Sequence, residues 1–306
     1  MNWFFIALGA PFLWALANLF DQYLVNKYTN NRRSSVGALV LFSSLFGIII
    51  AFPLLFFIDG IFNISFLDKL LLTITGIFTI LWVILYLFAI RIEKISNIVP
   101  IFLTIPIFGY IFGYLFLGED LLFFQKIGSL IILFGVILLS FDFSNKEKTH
   151  FKWKVLLYMI PACFLIAVIG IIFKYITIAG DFWVSSFWVN FGLSISGIFI
   201  FIFISSYRYE FFKMIKKGGI KIFSLNLASE VISSIGNMLT NYATLLAPLA
   251  MVYLVGNFQP AILLILTLFC TKFFPQITTE NISKRILFPK IISILIIILG
   301  SVVLFF

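Results

Sequence analysis

Ten apolar stretches, each long enough to cross a bilayer, follow one another along the chain with only short polar breaks between them. A helix rises about 1.5 Å per residue, so roughly 20 residues span the ~30 Å hydrocarbon core. The runs fall at 3–25, 35–58, 67–90, 95–117, 123–142, 153–178, 183–206, 219–244, 248–271 and 284–306. Only 11% of the 306 residues are charged and 62% are hydrophobic, too little charge to keep a soluble domain dispersed. The expected fold class is an all-α integral membrane protein of ten transmembrane helices. Its 41 Phe residues then serve as lipid-facing bulk and give no sign of an aromatic ligand box. The first run has no Lys or Arg before it and no small-residue cleavage pattern at its end, which makes it a retained helix and not a signal peptide.

The breaks alternate in charge. Those after runs 1, 3, 5, 7 and 9, taken with the opening residues of the run that follows each, hold all of the 21 Lys and Arg except Lys69, Lys126 and Lys174. The positive-inside bias places these breaks in the cytoplasm and both termini outside the cell. A wrong run count would scramble this alternation. The same bias accounts for the net charge of +9 without nucleic acid, because the basic residues sit in short connections and form no long basic arm.

The two halves repeat. Ser96 is followed ten residues later by Pro106 in run 4, and Ala250 ten residues later by Pro260 in run 9. Run 5 closes on Ile132-Leu-Phe-Gly135 and run 10 on Ile297-Ile-Leu-Gly300, while Pro11 and Pro161 fall at like positions of runs 1 and 6. Five runs per half is an odd number, so the second half enters the membrane from the opposite side. Two inverted five-helix repeats are therefore expected, an architecture used for alternating access. They cover 1–142 and 153–306, joined by a cytoplasmic linker at 143–152. Pro106 and Pro260 are read as matched kinks, because a proline inside a helix removes a backbone hydrogen bond.

Polar groups inside apolar runs mark where lipid is excluded. In run 8, Asn226, Glu230, Ser233/Ser234, Asn237 and Thr240/Asn241 recur every three or four residues and share one helical face. Glu230 lies about 15 Å in from the basic end of its run, near mid-bilayer, where a carboxylate costs roughly 2.5–3.5 kcal/mol on insertion scales. Packing alone would account for the serines; a glutamate flanked by asparagines favours a cavity. Run 1 offers Trp14, Asn18, Asp21 and Gln22 on one face, with Asp21 either in that cavity or paired with Lys27 or Arg91 near the interface. Runs 4 and 9 add Asn97, Pro100, Thr104, Asn257 and Gln259. A carboxyl group held away from water can take up and release a proton near neutral pH, or hold the amine of a cationic substrate. Glu230, and after it Asp21, are candidates for either role. Trp82, Tyr86, Trp188 and Tyr242 are candidate pocket aromatics or belt residues. Lys174 is expected to snorkel toward the outer surface and Glu119 and Asp120 to cap the start of run 5, while Gly109 and Gly113 read as a small-residue packing pair.

Several chemistries lack their residues. Cys163 and Cys270 sit in apolar runs, and the only histidine, His150, lies in a basic connection, so neither a disulfide framework nor a metal or haem site is expected. No Gly-x-x-x-x-Gly-Lys run is present for ATP. No cofactor is expected, and an integral membrane enzyme would need a catalytic cluster that these runs do not supply.

Leu13-Trp14-Ala15-Leu16-Ala17-Asn18-Leu19-Phe20 is similar to the Trp-Gly-x-x-Asn-Phe opening of the EamA-type members of the drug/metabolite transporter superfamily. Pro106, Leu117-Gly118-Glu119-Asp120, Gly128 and Gly135 resemble that family's Pro…Gly-Glu…Gly…Gly pattern. The chain departs from it where run 9 ends Cys270-Thr-Lys-Phe-Phe-Pro-Gln276 without Gly-Glu, and where the charge bias puts outside the termini that well-known members keep inside. The resemblance implies transport. The function expected is a secondary active transporter of a small polar or amphipathic metabolite, with protons as a candidate coupling partner; a flippase for a lipid-linked or phospholipid substrate is the alternative. A Phe-, Ile-, Lys- and Asn-rich composition points to a bacterial cell (plasma) membrane, with the protein a monomer or homodimer in the bilayer.

Overall fold

A computed structural model describes residues 2–28, 36–92, 98–140, 153–274 and 284–303. The linker at 143–152 with His150, the basic residues Arg32, Arg33 and Lys94, and Asn97 lie outside the described residues. The helices are α1 (Asn2–Tyr28), α2 (Val36–Phe57), α3 (Phe66–Ile92), a 3-10 turn (Val99–Thr104) leading into α4 (Ile105–Leu117), α5 (Phe123–Ser140), α6 (Trp153–Ile178), α7 (Phe182–Phe203), α8 (Ser205–Leu246), α9 (Leu249–Gly256), α10 (Gln259–Phe273) and α11 (Lys284–Val303). Among the described residues there is no strand. Hydrocarbon offers no partner for a backbone N–H or C=O, so apolar runs must close their hydrogen bonds internally, as helices do.

Among the described residues, six helical stretches are long and apolar enough to cross a membrane: Asn2–Leu24, Val36–Phe57, Phe66–Ile92, Lys154–Ile178, Phe182–Phe203 and Leu249–Phe273. Shorter apolar helices occupy Ile105–Leu117, Phe123–Gly135 and Ile291–Val303. Large apolar side chains such as Phe5, Phe56, Leu115, Phe203 and Leu299 point outward, as a lipid-facing surface requires.

Two local readings change. The basic connection after run 7 is helical: α8 begins at Ser205 and continues to Leu246, broken only at Gly219 (φ 58°, ψ −156°). Only glycine adopts that backbone at low cost. Pro106 and Pro260 do not kink a helix from within. Each stands in the first turn of α4 or α10, just past a break, where its missing N–H leaves no intrahelical bond unmade. The prolines within helices are Pro11, Pro53, Pro161 and Pro289.

Packing is paired across the halves. α1 lies along α8 and α3 along α6; α2 packs on α7 and α5 on α11. α4 meets α6 and α9, and α1 meets α9 and α10. Glycines permit the closest approaches. A Cβ on Gly135 would come within 2.9 Å of Ile297, and one on Gly300 within 2.9 Å of Ile132, a reciprocal contact between the two repeated motifs. Where α3 crosses α7, a Cβ on Gly192 would sit 2.0 Å from the Thr73 carbonyl oxygen, and one on Gly76 2.1 Å from that of Val189.

Backbone cannot yield as a flexible side chain does, so Gly192→Ala should force α3 and α7 apart. Overpacking of this kind costs about 1–3 kcal/mol. The expected result is a clearly lowered melting temperature for the purified variant, with Gly180→Ala, where the nearest atom lies 3.2 Å away, as the milder control.

Candidate functional site

The part of α8 beyond Gly219 carries its polar residues on one stripe, and that stripe forms a wall of a cavity of about 300 Å³. Asn226, Glu230, Ser233, Ser234, Asn237, Thr240 and Asn241 all line it, following the three- and four-residue spacing of a single helix face. α1 supplies the facing wall with Trp14, Asn18 and Asp21. The break between α9 and α10 brings in Asn257 and Gln259, both buried. Trp14, Asn18, Asp21, Asn226, Glu230, Asn237, Asn257 and Gln259 thus meet in one space, whereas Gln22, Thr104, Pro106 and Pro260 lie off its lining.

The polar groups are held in pairs that join different helices. Ser43 of α2 donates its hydroxyl to the Glu230 carboxylate. Ser229 donates to Asp21 at 2.9 Å, Tyr86 of α3 to the Asn18 carbonyl at 2.8 Å, and the Trp14 indole to the Asn237 carbonyl at 3.1 Å. Asp21 therefore faces the cavity. The amide nitrogens of Asn18 and Asn257 are buried without a hydrogen-bond partner, and a buried donor of this kind costs about 1–3 kcal/mol until an acceptor reaches it. Asp21 and Glu230 are the charged residues of the lining; among the described residues no Lys or Arg joins them. The rings of Trp14, Trp82, Tyr86 and Tyr253 complete a wall that mixes aromatic faces, amides and carboxylates. Among the described residues, no group of three or more His, Cys, Asp or Glu converges as a metal site would need.

Some lining residues were not singled out in advance. Ser43, Ser229 and Asn190 are polar residues within apolar runs, and that was their available signal. Tyr253 had none, since its approach to α6, with its hydroxyl donating to the Ile166 carbonyl at 3.2 Å, follows from how α9 is docked. Of the four candidate pocket aromatics, Trp82 and Tyr86 line the cavity and Trp188 and Tyr242 do not. Trp188 instead donates its indole N–H to the Ile61 carbonyl at 3.0 Å.

Glu119 and Lys174 also differ from expectation. Lys174 is 4% exposed and does not snorkel; its ammonium is paired with Glu119 and donates to the Ala247 carbonyl at 2.6 Å. Glu119 does not cap α5. It accepts the Leu249 N–H at 2.8 Å, capping the first turn of α9, while Asp120 takes the Leu121 N–H and Lys126 beside α5. That contact with Lys126, with the Tyr110 hydroxyl, holds the Asp120 carboxyl below the usual carboxylate range. The Gly-Glu motif thus clamps the end of α4 to α6 and to the α8–α9 junction. Gly109 receives Tyr253 and Ala250 of α9, while Gly113 makes room for Glu119 itself.

Residues 1–141 match the model of the EamA-like transporter family. A solved structure described as "Crystal structure of protein" covers 99% of this chain and 98% of its own length, with a TM-score of 0.60 at 13% identity, a likeness of fold. No curated protein matches. The first half is accordingly EamA-like, as the motifs at Leu13–Phe20 and Pro106–Gly135 led one to expect, and consistent with the drug/metabolite transporter superfamily. The match over the first half and the apolar helices indicate a multi-pass membrane protein.

The clamp gives a direct test. Lys174→Met leaves the half-buried Glu119 carboxylate without its cation; breaking a fully buried pair costs about 3–5 kcal/mol, so the loss here should fall near or below the lower end of that range. The single variant should melt well below wild type, and Lys174→Met combined with Glu119→Gln should recover part of the loss.

Proposed function

From an EamA-like first half and a fold shared along the whole chain, we propose that this protein is a ten-span secondary active transporter. Its two halves, 1–142 and 153–306, form an inverted repeat and move a small polar or amphipathic metabolite by alternating access. The observation that carries this reading is the cavity with its polar stripes, walled by α1, α2 and α3 of the first half and by α6, α7, α8 and α9 of the second. A site shared by two halves is what a rocking transporter needs.

The helix pairing supports the repeat. Exchanging α1 with α6, α2 with α7, α3 with α8, α4 with α10 and α5 with α11 converts the α1–α8 contact into α6–α3, and α4–α6 into α10–α1. It turns α3–α7 into α8–α2 and leaves α2–α7 and α5–α11 unchanged. Such invariance is expected of two copies of one five-helix unit. Matched helix breaks at Thr104–Ile105 and Asn257–Phe258 add to it.

Within this reading Asn18, Asn226, Asn237, Asn257 and Gln259 meet the polar groups of the solute and Trp14 packs against it. Glu230 takes a proton or a positive charge, with Asp21 beside it. A lining whose charged residues are acidic favours neutral or cationic solutes and disfavours the anionic headgroups a lipid flippase would handle. A proton or substrate gradient drives the cycle, in a plasma membrane with both termini outside the cell.

Thermal stability against a panel of metabolites tests the proposal. A ligand at ~100 times its dissociation constant should stabilise the protein by roughly 2.7 kcal/mol. We expect a neutral or cationic solute to raise the melting temperature of wild type, and Glu230→Gln to lose that shift or its pH dependence. The same solute should exchange across proteoliposomes. Failure of every soluble candidate, with Glu230→Gln melting and exchanging as wild type does, would leave Glu230 a packing residue.

A further inference from the structure

We infer that the helical arm 205–218 is a lipid-headgroup-binding element that docks on anionic phospholipid. The arm has two faces. Tyr207, Phe211 and Met214 turn inward and pack against the buried core. Glu210, the arm's acidic residue, also turns inward, with its carboxylate against Gly37 at the start of α2. The outer face presents Tyr209 (68% exposed), Phe212 (52% exposed), Lys213 and Lys216, spaced at three and four residues along one side of the helix.

A helix that meets water on its outer face has no reason to expose two aromatic rings beside its lysines. One that lies in the headgroup layer does, because the rings reach the acyl boundary while the ammonium groups meet phosphates. The surface around the arm fits that depth. Phe203 at the end of α7 and Ile220 just past the kink are 69% and 82% exposed, so the lipid-facing band passes the arm on both sides. The ammonium of Lys213 stands 5.8 Å above the Tyr209 ring, which places cation and aromatic side by side. With Glu210 turned away, the charge offered outward is positive, and it complements an anionic leaflet.

Docking there bears on the cavity. The arm ends at Gly219, and the segment that leaves this joint carries Asn226 and Glu230. Anchoring the arm to the bilayer fixes the direction in which that segment enters.

Hydrogen exchange of the full chain in nanodiscs tests the assignment. Amides of 205–218 should exchange roughly tenfold more slowly in phosphatidylcholine with about 30% phosphatidylglycerol than in phosphatidylcholine alone, each surface lysine adding a modest increment. The difference should vanish in ~0.5 M salt. Lys213→Gln/Lys216→Gln should abolish it while exchanging as wild type does in neutral lipid, and Lys213→Arg/Lys216→Arg should restore it. Equal exchange in both lipids, a dependence retained by the Gln pair, or the same slowing by free inorganic phosphate in neutral lipid would overturn the proposal. Were the Gln pair to misfold, the Arg pair and the salt dependence still decide.

Discussion

A carboxylate in the apolar interior is the constraint around which the structure is arranged. Glu230 cannot face lipid without a cost of several kcal/mol, so α8 must turn its polar stripe toward other helices. Once that face is directed inward, α1 is the natural partner, since Trp14, Asn18 and Asp21 form a second, shorter polar stripe that faces inward. The hydrogen bonds from Ser43 to Glu230 and from Ser229 to Asp21 then bring α2 in and fix the α1–α8 register. What results is a largely apolar cavity crossed by polar stripes, which face it because the helices that carry them had nowhere else to put them.

Holding the cavity open while the rest packs tightly falls to small residues and one clamp. Gly76 and Gly192 let α3 and α7 cross backbone to backbone, and Gly135 and Gly300 receive isoleucines from each other's helix. Near the broken helices, Glu119 joins Lys174 and the Leu249 N–H, so a single carboxylate ties α4 to α6 and to the start of α9. The clamp spans the two halves, so any motion of one half against the other has to strain it or carry it along. Tyr253 from α9 reaches the Ile166 carbonyl of α6 and lends the same junction a second contact.

Much of this was legible beforehand, for identifiable reasons. Run length and loop charge report helix positions because lipid imposes both on the chain one segment at a time. The three- and four-residue spacing from Asn226 to Asn241 announces a face, since helical periodicity is local. The arm 205–218 escaped notice because its lysines mask an amphipathic pattern, and a positive-φ glycine reads equally well as a loop. The position of Glu119 suggests a cap of the helix that follows it, but its partners come from residues 174 and 249.

The order of residues was enough to establish an all-helical membrane protein, a doubled pattern of motifs and a buried acidic stripe, because each follows from hydrophobicity and spacing within one segment. Tertiary packing alone decided that the stripes of α1 and α8 share one space, that Ser43 serves Glu230, that Trp188 and Tyr242 stay out, and that Lys174 is buried against Glu119. These depend on the relative placement of helices far apart in the chain. That placement is set by the sum of many small packing terms and close glycine contacts, which no single segment carries.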